Sequence, residues 1–107
     1  MNKERIYAML SCQLSITGIL MNNPGKHFKI GKTAQNPPEN RVNAEYEESY
    51  NQFILVYGSA DLALIDELEI QLIAHYKRSY YASCDNVYSK IGPKLKGFIG
   101  YIYLVIE

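Results

Sequence analysis

Leu62, Ile65, Leu68, Leu72, Ile73 and Tyr76 recur at the three- and four-residue spacing of one helical face, and no other pattern constrains this chain as tightly. The periodicity predicts a helix over residues 60–78 that buries one face against another layer. At about 100° per residue, Glu69 lies near the middle of the same arc, so its carboxylate points where a core or a cleft must be. An ionised carboxylate placed there is costly unless it is paired. Glu69 therefore needs a cation, a hydrogen-bond donor or an open cleft.

The remaining elements follow from local signals. Gln52 to Tyr57 is apolar and aromatic and stops at Gly58-Ser59, which predicts a buried strand. Gly97 to Ile106 predicts a final strand, and residues 79–97, with their Ser, Asp, Asn, Gly and Pro, predict irregular chain. Asn36-Pro37-Pro38-Glu39 offers an N-cap, prolines suited to a first turn and an early acid, so a short helix through about Glu48 is expected, carrying Arg41. Ile16–Met21 and His27–Gly31 flank the turn-forming Asn22-Asn23-Pro24-Gly25-Lys26, and the expectation is an antiparallel hairpin. Residues 3–14 fit a helix or a strand equally well.

Composition narrows the class. The 107 residues make a single domain, residues 1–107, with room for one modest core. An apolar content of 48% and a charged fraction of 21% argue against disorder. With 11 basic and 11 acidic residues the net charge is zero, so no global field draws in a polyanion. Local basic stretches remain, Lys26, Lys29, Lys32 and Arg41 in one and Lys77, Arg78, Lys90, Lys94 and Lys96 in another. Cys12 and Cys84 are too few for a disulfide scaffold, lack metal-site spacing and read as reduced thiols. No apolar run approaches the length of a membrane span, and the start, charged in both signs, does not resemble a secretory leader. The expected location is intracellular, in the cytoplasm or in a host cell.

Several side chains are suited to phosphate chemistry. A divalent metal with a substrate phosphate would satisfy Glu69, since Mg²⁺ is commonly held by one or two carboxylates; a bond to Arg41 or to a tyrosine hydroxyl would satisfy it equally. Arg41 offers a planar, permanently charged fork that matches phosphate oxygens, although a lone arginine on a short surface helix is also an ordinary solvated residue. Lys29 alternates with Phe28 and Ile30, which sets it on the opposite strand face, as a base, as a phosphate ligand or as an exposed strand lysine. The 10 tyrosines supply phenols for a cleft or amphipathic edges for the core. His27 and His75 are not spaced as a metal pair and read as surface histidines.

Taken together, Phe28-Lys29-Ile30-Gly31-Lys32-Thr33, then Arg41, then the Glu69 helix ending in Tyr76, resemble the GIY-YIG nuclease superfamily. The likeness is to variants whose second motif reads Tyr-Lys-Ile-Gly-Lys-Thr, and it covers about residues 16–78. It implies an α+β fold with a small central antiparallel β-sheet flanked by helices. It also implies metal-dependent hydrolysis of a DNA phosphodiester. Carried over by position, Arg41 is the phosphate arginine, Glu69 the ligand of Mg²⁺ or Mn²⁺, and Lys29 stands where many members have a motif tyrosine. Gly31, Lys32 and Thr33 fall at the substrate, and Asn86 matches a polar residue that supports the site.

The chain departs from the pattern in its first motif. Gly18-Ile19-Leu20 has a suitable spacing but lacks the tyrosine whose phenol would activate water. Gly100-Tyr101-Ile102-Tyr103-Leu104-Val105 looks like a first-motif strand at the wrong end of the chain, as a circular permutation would leave it. If it pairs beside residues 27–31, Tyr103 supplies the phenol. If it does not, the site lacks its usual base. The leading expectation is a metal-dependent DNA endonuclease in which Glu69, Arg41 and either Lys29 or Tyr103 act together. The alternative is an inactive module of the same fold that binds nucleic acid or a protein, or pairs as a homodimer, and a third reading makes the motif match accidental.

Overall fold

A computed structural model describes residues 2–40, 49–87 and 92–107. The described elements run α1 (Lys3–Met21), β1 (Phe28–Thr33), β2 (Gln52–Ser59), α2 (Leu62–Ser79) and β3 (Gly100–Ile106). The three strands form one antiparallel sheet in the order β1-β3-β2, so the last strand of the chain is the central one. This is an α+β fold, a small antiparallel sheet flanked by helices.

Strand alternation divides the side chains between two faces. Phe28, Ile30, Ile102, Leu104 and Ile106 meet Ala8, Cys12, Ile16 and Leu20 of α1 and Leu64, Ile65, Leu68, Leu72, Ile73 and Tyr76 of α2 in the main core. On the other face, buried Tyr103 and Val105 pack with Tyr50 and Phe53 in a smaller cluster. A register shift between Leu55 and Tyr57 marks a bulge in β2. The strands expected at 27–31, 52–57 and 97–106 and the 60–78 helix are present within a few residues of their expected ends, but β2 is an edge strand with no fully buried residue and not the buried strand expected, because β3 takes the centre of the sheet.

The expected hairpin is not. Residues 16–21 are the last turns of α1, which begins at Lys3 and therefore also settles the open choice over residues 3–14 as helix. Asn2 caps it, its side chain accepting the Glu4 N–H at 2.8 Å, and Glu4 sits favourably in the first turn. Asn22-Asn23-Pro24-Gly25 ends this helix rather than joining two strands: Asn23 Nδ2 donates to the Ile19 carbonyl at 2.8 Å, and Gly25 takes φ +78°. A one-in-four burial stripe, Ala8, Cys12, Ile16 and Leu20, seats the helix, but it is hard to read because α1 is apolar on nearly every side. Gly18-Ile19-Leu20 is accordingly helical and supplies no first-motif strand.

Glu39 and Asn40 are helical, as expected after the two prolines, while the rest of that expected helix, Arg41 included, lies outside the described residues. No helix among the described residues is long and apolar enough to cross a membrane.

Candidate functional site

β1 is an edge strand, and its outer edge is managed in two ways. Near its start, residues 83–86 run alongside it: Phe28 N–H donates to the Ser83 carbonyl at 3.0 Å and Asp85 N–H to the Phe28 carbonyl at 2.8 Å. Buried Asn86 extends this with its side chain, Oδ1 accepting the Ile30 N–H at 2.9 Å and Nδ2 donating to the Ile30 carbonyl at 2.8 Å. Backbone groups at a sheet edge need partners, and one amide here satisfies both of a residue's. Beyond Asn86 the edge opens into a cleft of about 610 Å³, lined by Lys29 to Gln35, Glu69, Ile73, Asn86, residues 92–96 and Tyr103.

The buried polar and charged side chains of the described residues are Lys32, Thr33, Glu69 and Asn86, and all four line this cleft. Polar groups are buried only where something compensates them. For Lys32, alternation turns the side chain to the helix face of the sheet, where Nζ lies 2.8 Å from Asp66 Oδ1 and 3.5 Å from Glu69 Oε1. Asp66 Oδ1 also accepts the Leu95 N–H at 3.2 Å, and Lys32 Nζ reaches the Gly92 carbonyl at 3.5 Å. The Lys32–Asp66 pair thus ties the 92–95 segment down as the cleft wall.

Tyr103 enters from the opposite face. It pairs in register with Gly31 across the β1–β3 ladder, and its ring lies over that glycine. A Cβ built on Gly31 would stand 2.3 Å from Tyr103 Cζ and from its hydroxyl. Glycine at this position therefore makes room for the tyrosine ring, which also packs on Phe53 at 5.4 Å between centroids. Glu69 from the helix layer and Tyr103 from the far face both line the cleft along this strand edge.

Of the residues singled out in the sequence, the structure brings Lys29, Gly31, Lys32, Thr33, Glu69, Asn86 and Tyr103 to this cleft. Arg41 is outside the described residues. The two basic stretches, far apart in sequence, converge through Lys29 and Lys32 on one wall and Lys94 and Lys96 on the other. Asp66 was not anticipated, although its spacing of three residues from Glu69 on one helix sets the two carboxylates on neighbouring positions of the same face. Neither cysteine lines the cleft, although Cys84 Sγ approaches Asn86 Oδ1 at 3.5 Å; burial pushes the Cys12 thiol up to about 11 and raises Cys84, which keeps both as thiols at neutral pH.

For a metal, the donor set is one buried carboxylate beside an open, lysine-lined cleft, and among the described residues no three His, Cys, Asp or Glu side chains converge. That arrangement does not make an all-protein cage, but it fits a hard divalent cation that keeps most of its waters and takes substrate oxygens. No protein-family model, curated protein or solved structure gives a match to this chain.

Proposed function

We propose that the β1-edge cleft is a phosphodiesterase site, and that the chain is a metal-dependent DNA endonuclease of GIY-YIG type whose first-motif strand is contributed by the C-terminus. The observation that supports this most is the pairing of β3 with β1, which brings Tyr103 over Gly31 in the cleft that also holds Glu69. This is the arrangement a circularly permuted domain requires. Lys29, Lys94 and Lys96 around the cleft favour a phosphate backbone despite the chain's zero net charge, Lys32 being taken up by Asp66 and Glu69.

In this reading Glu69 holds Mg²⁺ or Mn²⁺, and Lys32 with Asp66 fixes the wall against which it sits. A metal held there would supply Lewis-acid polarisation of the phosphate and make water a better nucleophile. Tyr103, held by Phe53 and Gly31, orients the attacking water through its phenol, and Lys29 holds a phosphate oxygen or accepts the proton. Arg41 neutralises the charge that develops on phosphate.

A second reading, a noncatalytic module of the same fold, draws on the 3.5 Å approach of the Lys32 ammonium to Glu69, which already balances the carboxylate with a cation. Calorimetric titration of Mn²⁺ into wild type and Glu69→Gln, with supercoiled plasmid incubated in parallel, separates the two. The nuclease reading expects metal binding and nicking in wild type and a loss of nicking of roughly 100-fold or more in the variant. Nicking that persists in Glu69→Gln overturns the site, and a wild type that neither binds metal nor nicks favours the module.

A further inference from the structure

None of the residues that line the cleft belongs to α1. From Ile6 to Met21 the helix carries no charged residue, and Tyr7, Leu14 and Met21 are 68%, 77% and 72% exposed, with Leu10 half exposed. These four and Gly18 fall within an arc of about 80°, opposite the buried Ala8, Cys12, Ile16 and Leu20. A helix that is apolar on its outer as well as its inner face is normally covered.

We propose that a second copy of this chain covers it, in an antiparallel α1–α1 pair whose two-fold axis passes at Leu14. The stripe reads the same in both directions from that residue: Tyr7 and Met21 stand seven positions away on either side, and Leu10 and Gly18 four. A two-fold interface uses one patch twice, so it requires this self-complementarity. About the axis, Leu14 meets Leu14, Leu10 meets Gly18 of the second copy, and Tyr7 meets Met21 in a sulfur–aromatic contact.

Gly18 is the second observation. A Cβ on it would find nothing within 4 Å among the described residues. Its own fold gives no reason for a glycine there, where helix propensity disfavours it. In the pair it removes the Cβ that would hold the two helices apart under Leu10. Antiparallel packing also sets the helix dipoles head to tail. Arg5 is occupied with Glu67 of its own chain, while Lys3 and Lys26 flank the two ends of the stripe.

The stripe is about 21 Å long from Tyr7 to Met21. It borders a groove of about 260 Å³ between the helices, where Ile6, Met9, Leu10, Leu64 and Leu68 share the lining with Gln71 and the Arg5–Glu67 pair. A face of this size lies at the small end of specific interfaces, so the pair is a concentration-dependent equilibrium and not an obligate dimer. The inference does not depend on the nuclease reading.

Sedimentation equilibrium of the full chain, from low micromolar to near millimolar, tests it. Wild type is expected to pass from monomer to dimer, Leu14→Glu to remain monomeric with an unchanged far-ultraviolet spectrum, and Gly18→Ala to dimerise about 10-fold more weakly. A wild type that stays monomeric throughout overturns the proposal, as does Leu14→Glu dimerising like wild type. Wild type that floats with anionic phospholipid vesicles while remaining monomeric in solution also overturns it, in favour of a lipid surface.

Discussion

Two regions of this molecule invert the usual rule for side-chain placement, in opposite senses. At the β1 edge, Lys32, Thr33, Glu69 and Asn86 are buried, while along α1, Tyr7, Leu10, Leu14 and Met21 are exposed. The first inversion is answered from within the chain: the Lys32 ammonium donates to Asp66 and lies 3.5 Å from Glu69 Oε1, and Asn86 satisfies both backbone groups of Ile30. The second is not compensated among the described residues, because exposed apolar side chains are relieved only by another surface laid over them. Buried polarity therefore marks where chemistry is expected, and exposed apolarity where contact is expected.

The comparison can be broken first at Lys32. Lys32→Met leaves Asp66 and Glu69 close together without their cation, and a loss of about 3 kcal/mol is expected in urea unfolding. A loss below about 0.5 kcal/mol would mean that these charges are hydrated and the cleft is not an internally paired site.

The two glycines sharpen the contrast, because one substitution should act with opposite sign. Gly31→Ala drives a Cβ into the Tyr103 ring and should cost about 1–3 kcal/mol. Gly18→Ala meets open space and should gain about 0.5–1 kcal/mol when unfolding is followed at low protein concentration. Equal effects at the two positions would remove the distinction drawn between them.

The smallest effect is expected at the start of β1. His27 Nδ1 lies 2.8 Å from Asp85 Oδ1; that hydrogen bond, with the Asp85 charge, raises the histidine pKa above its ordinary value. Because the folded value is the higher one, the contribution is fully present below the ordinary histidine pKa, near 6.5, and is lost as pH rises through the folded value. Melting temperatures of wild type and His27→Gln should differ slightly at pH 5 and converge at pH 8. A gap that persists at pH 8 would assign the effect to packing and not to charge.

Much of this is legible in the chain and some is not, for identifiable reasons. The α2 helix shows in the sequence because its two faces differ, and Glu69 stands out against that apolar stripe. In α1 the buried and outer faces are both apolar, so the period is lost. The Asn22–Lys26 cluster signals that the chain turns, but a turn cluster does not say whether a helix or a strand precedes it, and the expected hairpin failed there. Asp66 passed unnoticed because its partner, Lys32, lies on a distant strand and only alternation across the sheet aims one at the other.

By itself, then, the sequence determined the local elements whose periodicity is one-sided, the carboxylate that a buried face must compensate, and the glycine-bearing β1 motif. The tertiary structure alone decided that β3 inserts between β1 and β2, that Tyr103 crosses Gly31, and that two separated basic stretches share one cleft. Helix period and turn chemistry are properties of neighbours in the chain. Strand order and the convergence of side chains depend on contacts between residues distant in sequence, and these are set by how the sheet and the helices bury their common core.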